Sequence, residues 1–354
     1  MDKIQQQSGL VLESVIYGNY IKYESLRKLV VAEFSNSVAT KVNIYIDLGQ
    51  FLSTSFKVIK DLYSITALIL NYCAHLREFF RRGGVDTKFI LVFSYNKSSN
   101  NTKFIPEYNA KNYVISEDNR AIIDDNLHIL KILCPYLRDI YFKQGTVEPA
   151  VIIKDLIENI FTDNSPNIVI SAAEYAFQLP SFVPCVVFHK KKVRVNGVFE
   201  DVSYSYNIAT AIRWYLYEIR KLHTPFHLDD RMISTIMCMT GLPKRNISCL
   251  ISANNTFRIL KNISKEDWDI IYGNTYQMYY YLSRFMSLKE MTALNENEFT
   301  NRFKAIDINF QHVMYKDMIE STEKDFLTRL EDPDKVKSIN NNYFINCPIN
   351  LEWL

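Results

Sequence analysis

Short runs of uninterrupted apolar residues alternate with longer amphipathic stretches through the first half of the chain, and this rhythm constrains the fold more than any other feature. VNIYID (42–47) and KFILVF (88–93) are the strongest runs; 140–142, 168–170 and 185–188 are shorter ones. Strands apolar on both faces belong in a parallel sheet covered by helices on each side. Between them, 56–82 repeats apolar residues every three to four positions and stops at Gly83-Gly84, and 121–137 and 148–161 also read as helices. From about Ala209 the strand signal fades, and helical spacing dominates through 212–222, 229–239, 254–260 and 268–285. The pattern predicts an α/β fold: a mostly parallel central sheet flanked by helices over 41–222, then a helical region over 223–331. An N-terminal extension (1–40) precedes the sheet, and a C-terminal tail (332–354) begins near Asp332-Pro333.

Composition excludes several function classes. With 48% hydrophobic and 23% charged residues in 354, there is apolar area enough to order the backbone, so disorder is not the main state. The formal charge of +2 gives no global field for nucleic acid or an anionic membrane, although a local patch remains open. Cys73, Cys134, Cys185, Cys238, Cys249 and Cys347 form no CxxC pair or Cys/His ladder and read as reduced core residues. The first residues, MDKIQQQSGLVLESVIYG, lack the basic start and apolar core of a signal peptide, and no window approaches the ~20 apolar residues of a membrane span. A soluble protein of the cytoplasm or of a virion interior is expected, with no membrane partner. The Asn-, Ile-, Lys- and Tyr-rich composition fits a viral or phage source.

Five short segments, in order, resemble the 5′-3′ exonuclease and flap endonuclease family, a PIN-like nuclease fold, over roughly residues 41–262. YIDLGQFL is similar to the family's opening strand, with Asp47 at its metal-binding position. LVF followed by PEYNAKN looks like the VFD strand and the PEYKANR segment, with Ser94 for the Asp and with Asn109 and Asn112 for phosphate-contacting Lys and Arg. VEPAVIIKDL is similar to the EADDVIG helix start, keeping Glu148 but placing Ala150 and Val151 where two Asp residues stand. ISAAEYAFQL resembles SGDKDLLQL, with Ala173 and Tyr175 in the Asp places and Gln178-Leu179 retained. MTGLPKRNIS resembles LVGDSSDNIP of the DNA-gripping helix-turn-helix element, with Leu242 and Arg245 replacing its two Asp residues.

What the resemblance implies about chemistry follows from counting acids. Two-metal phosphodiester cleavage needs two divalent ions about 3.5–4 Å apart, held by several carboxylates. Of the family's carboxylate positions only Asp47 and Glu148 keep an acid, and Arg245 adds like charge to any metal nearby. Asp61, Asp155 and Glu174 are close in sequence, but Glu174 should project from a helix start and Asp155 lies about two turns into its helix, so neither of these two matches the lost geometry. The implied protein is a pseudo-nuclease with no metal and no cofactor.

DNA binding without cleavage stays open. The segment CLISANNTF has no glycine where the family's DNA hairpin needs close backbone approach to phosphate. Lys190, Lys191, Lys192 and Arg194, with Lys244-Arg245, are the best basic candidates; a strand-edge charge cluster and a solvated turn are the plainer readings. His223 and His227 are separated by Pro225 and read as a loop pair without metal, His75 and His128 as core residues on apolar helix faces, and His189 and His312 as standing alone. The aromatic run YGNTYQMYYYLSRF (272–285) suits a packed core or a protein interface better than base stacking. These readings favour a structural subunit of a larger assembly, with itself or another protein as partner. The alternatives are a non-catalytic DNA-binding accessory factor in replication or packaging, or an active divergent exonuclease.

Overall fold

The structure is a computed structural model that describes residues 40–49, 52, 64–94, 99–108, 117–195, 198–207, 211–215, 228–320 and 326–343. Its centre is a six-stranded sheet in the order β3-β2-β1-β4-β5-β6. The strands are β1 (Lys41–Asp47), β2 (Asp86–Ser94), β3 (Ile140–Gly145), β4 (Asn167–Ile170), β5 (Val186–Val195) and β6 (Val198–Tyr206). β1 to β5 are parallel and β6 is antiparallel to β5.

Period-two alternation divides the side chains of the parallel strands between two cores. Tyr45, Ile90, Val92, Val169 and Val187 enter one; Ile44, Ile46, Phe89, Leu91, Phe93, Ile168, Ile170 and Phe188 enter the other. This explains why the strands read as continuous apolar runs. Helices α1 (Ser64–Arg82) and α2 (Glu117–Leu133) cover the second core with Ile65, Leu76, Leu127 and Leu130, while α3 (Pro149–Asp155), which continues as a π-turn (Leu156–Ile160), lies on the first. Each fully buried aliphatic side chain contributes about 1.5–3 kcal/mol.

The first core continues without a break into the helical region. Helix α4 (Met232–Thr240) is buried at every position. Around it lie α5 (Ala253–Leu260), α6 (Lys265–Ile271), α7 (Thr275–Ser283), α8 (Leu288–Ala293), α9 (Glu296–Ile306) and α10 (Ile308–Met314). Their shortness has a local cause: Ser252, Ser264, Asn274, Ser287, Asn295 and Asp307 each cap one by accepting a backbone N–H within its first turn. Such caps contribute about 1 kcal/mol apiece. Beyond α10, the Lys143 ammonium, buried on edge strand β3, donates to the Ile319 carbonyl at 3.0 Å. Helix α11 (Pro333–Tyr343) packs Val336 and Ile339 on the second core.

Several sequence expectations are revised. The helix expected over 268–285 is two helices, because Gly273 takes φ +89° and Asn274 starts a new one. β5 runs well past Phe188, and its partner β6 was not anticipated; Asn196-Gly197 between Val195 and Val198 is the hairpin signal that marks it. The backbone of Lys190 to Arg194 is paired with Ser203 to Phe199 on one side, while β4 pairs with β5 only as far as Phe188. His75 and His128 are exposed on α1 and α2, not buried, since both sit off the apolar stripe. Cys73, Cys134, Cys185 and Cys238 are buried free thiols, whereas Cys249 is exposed. The extension 1–39, residues 53–63 with Asp61, Asn109, Asn112, His223, His227 and Cys347 lie outside the described residues. Among the described residues, no helix is long and apolar enough to cross a membrane.

Candidate functional site

Parallel α/β sheets place their ligand crevice at the carboxyl ends of the strands, where the strand order reverses. Here that point lies between β1 and β4. Asp47 closes β1, Ser94 closes β2, and Ser171 follows β4, so three strand ends converge on one rim. All three residues are buried.

Both oxygens of Asp47 have donors. Ser171 Oγ donates to Oδ2 at 2.8 Å across the β1/β4 crevice, and the Gly49 N–H donates to Oδ1 at 3.0 Å. Burial pushes the Asp47 carboxyl above the usual range despite those hydrogen bonds; Glu148 adds repulsion and Arg245 opposes it. The three charges thus share one electrostatic site. Ala173 is held beside it, its N–H donating to Ser171 Oγ at 3.1 Å.

Glu148 precedes α3, where Pro149 supplies the fixed φ that starts the helix. Its side chain does not cap the helix but turns to the site, fully buried. The Tyr108 hydroxyl donates to Oε1, and Arg245 Nη2 donates to Oε2 at 2.8 Å. Tyr108 and Tyr175 hydroxyls are 3.2 Å apart, and the Tyr175 hydroxyl also reaches the Ala305 carbonyl at 3.2 Å. Burial, with the Glu148 charge acting on both, raises both phenols, which keeps them protonated as donors. The Arg245 guanidinium lies 5.6 Å from the centroid of the Tyr175 ring, in cation–π range.

Local geometry delivers Arg245. Gly241 ends α4 at φ +73°, and a Cβ there would stand 2.4 Å from the Ile247 and Ser248 carbonyl oxygens. Leu242 and Ile247 form an isolated bridge around a 3-10 turn (Pro243–Arg245), with Asn246 left-handed at φ 61°. Arg302 of α9 fixes this loop by donating to the Ser248 carbonyl at 2.7 Å and the Cys238 carbonyl at 3.0 Å. Arg245 therefore faces inward with 8% of its surface exposed, and is not available as the phosphate contact or solvated turn expected from sequence.

Of the residues singled out in the sequence, Asp47, Glu148, Tyr175 and Arg245 come together, with Ser94 buried on the same rim. Ala150, Val151 and Leu242 are packed in the first core with the two tyrosines. Asp155 does not join them. It sits at the far end of α3, where His312 Nε2 lies 2.7 Å from its Oδ1, so His312 is not isolated either. Lys154 Nζ lies 3.2 Å from His312 Nδ1 and donates to Glu158 at 2.6 Å. Glu174 is half-buried at the start of the 3-10 segment Glu174–Ser181. Side chains of Lys190, Lys191, Lys192, Arg194 and Lys244 are outside the description. Sequence reasoning missed Tyr108 and Ser171, although both stand inside quoted motifs; nothing in a lone sequence distinguishes a tyrosine that holds an acid from one in a core.

Divalent ions of the kind the resemblance implies take oxygen ligands with enough negative charge to offset their own. The two carboxylates of the pocket accept hydrogen bonds from an arginine, a tyrosine, a serine and a backbone amide. Among the described residues, no group of three or more His, Cys, Asp or Glu is placed to hold a metal ion.

No protein-family profile matches the chain, and no curated protein does. Among solved structures it is similar to the T5 D15 protein co-crystallised with metal ions, with 17% identity and a TM-score of 0.47 over 80% of this chain and 98% of that one. It is also similar to a mutant of the T5 5′-exonuclease, with 14% identity and a TM-score of 0.44 over the same shares.

Proposed function

We propose that this chain is a non-catalytic protein of 5′-3′ exonuclease-like architecture that serves as a structural subunit, working through protein contacts. The observation that carries the reading is the occupancy of Glu148 and Asp47 by internal donors: Arg245 and Tyr108 on one, Ser171 and Gly49 on the other. A carboxylate so engaged has little left to give a hydrated cation, and the neighbouring positions Ala150, Val151 and Leu242 offer no replacement acid. Exposed aromatics on α7 supply the contact surface, with Tyr276 61% and Tyr280 58% exposed.

The test is incubation of the purified chain with 5′-flap, nicked and single-stranded DNA in Mg²⁺ or Mn²⁺. No cleavage above background is expected. Metal-dependent cutting that disappears in Asp47→Ala would establish an active exonuclease instead. Tight DNA binding that falls steeply with salt, with the chain monomeric in its native setting, would favour the accessory-factor role, because phosphate contacts release counterions.

A further inference from the structure

We infer that the Arg245 guanidinium is the built-in counter-ion of this pocket, doing for the buried carboxylates what a bound divalent ion would otherwise have to do, and thereby fastening the helical region to the sheet. The inference concerns the pocket treated above and does not depend on the partner.

Two carboxylates buried at one rim repel each other, and leaving them there without a cation is strongly unfavourable. Glu148 is fully buried, and its Oε2 accepts from Arg245 Nη2 at 2.8 Å, while Asp47 feels both charges. The guanidinium comes preorganised, which a mobile lysine would not. Gly241 has no space for a Cβ, Asn246 is left-handed, and Arg302 pins the loop to the end of α4. The guanidinium also lies within cation–π range of the Tyr175 ring, 5.6 Å from its centroid. A divalent ion at Glu148 would compete with Arg245 for Oε2.

Three readouts on the full chain test this. Thermal unfolding of the wild type in EDTA, Mg²⁺ and Mn²⁺ should give the same Tm, with no Mn²⁺ binding heat by calorimetry. Arg245→Met should lower Tm by on the order of 5 °C, and adding Glu148→Gln should recover part of that loss, since the orphaned charge is then removed. Arg245→Asp, which supplies a third acid beside Asp47 and Glu148, should gain Mn²⁺ binding and a Mn²⁺-dependent rise in Tm. Wild-type protein that binds Mn²⁺ and is stabilised by it overturns the inference even if the variants do not fold, and so does an Arg245→Met protein as stable as the wild type. A wild type that is monomeric in its native setting and whose Tm ignores Mn²⁺ would sink the proposed function and leave this inference standing.

Discussion

Arg245 and Glu148 stand 97 residues apart in the chain and 2.8 Å apart in space. One belongs to the loop after α4, the other to the start of α3, so their contact joins the helical region to the sheet at the strand ends. The 3-10 segment after β4 reinforces the junction. Tyr175 reaches the Ala305 carbonyl, and Gln178 donates to the Ile306 carbonyl at 3.1 Å and accepts from the Ile308 N–H at 3.2 Å. The pocket is thus a polar joint between two parts of one core.

Tyr108→Phe leaves Glu148 Oε1 without its hydroxyl donor in a buried site. Loss of a hydrogen bond to a charged acceptor should cost about 2 kcal/mol. Tyr175→Phe should cost less, about 1 kcal/mol, because Glu148 keeps its Tyr108 and Arg245 donors. Urea unfolding of the two variants compares them directly, and equal stabilities would show that the tyrosine pair does not divide the work in this way.

Gly241→Ala and Gly273→Ala separate backbone strain from crowding. Both glycines have positive φ, +73° and +89°, but a Cβ at Gly241 meets two carbonyl oxygens at 2.4 Å whereas one at Gly273 has nothing within 4 Å. The first should cost more than about 3 kcal/mol and the second about 1 kcal/mol. Similar costs would mean that the Leu242–Ile247 turn can open without penalty.

The sheet was legible because its signal is local: β1 to β5 each carry an apolar run, and alternation within it assigns the residues to two cores. Asp47 and Glu148 were legible from motif order. The Arg245–Glu148 pair was not, because its specificity lies in the inward turn set by Gly241, Asn246 and Arg302, which no periodicity encodes. Arg245 read alone is a turn residue. The hairpin partner β6 was passed over for a different reason: VFEDVSYSY alternates weakly and is flanked by the charged run from Lys190, so the apolar count missed what Asn196-Gly197 announces. The break at Gly273 was hidden by uninterrupted helical spacing on either side.

Asp230, beside the start of α4, provides a pH signature. Burial and then the neighbouring Asp229 raise its carboxyl to about 6, above an ordinary value of 3.8. The folded state therefore holds this proton more tightly than the unfolded one. Its charge opposes folding at neutral pH, and the penalty fades as pH falls through 6 towards 4. Asp230→Asn should stabilise the protein at pH 7 by about 1 kcal/mol, the amount left after solvent screening, and by nothing near pH 4. Stability curves for both proteins across that interval check the sign; a gain that persists at pH 4 would assign the effect to something other than titration.

The contact surface on α7 can be tested because the helix separates its faces sharply. Met278 and Leu282 are buried in the first core, while Tyr276 and Tyr280, four residues apart, project from the opposite side, and Arg284 stacks on Tyr280 with 5.0 Å to the ring centroid. Ile270 on α6 and Leu288 on α8 are exposed as well. Surface substitutions away from caps and packed groups usually change stability by less than about 0.5 kcal/mol. Tyr276→Glu with Tyr280→Glu should thus leave thermal unfolding unchanged, whereas Met278→Ala should cost about 2–5 kcal/mol. If the face is an interface core, two buried charges there should abolish association, since a desolvated unpaired carboxylate costs several kcal/mol. Sedimentation of the purified chain and recovery of its complex from the native source supply the readouts. A double variant that stays folded and assembles as the wild type does would remove α7 from the contact surface.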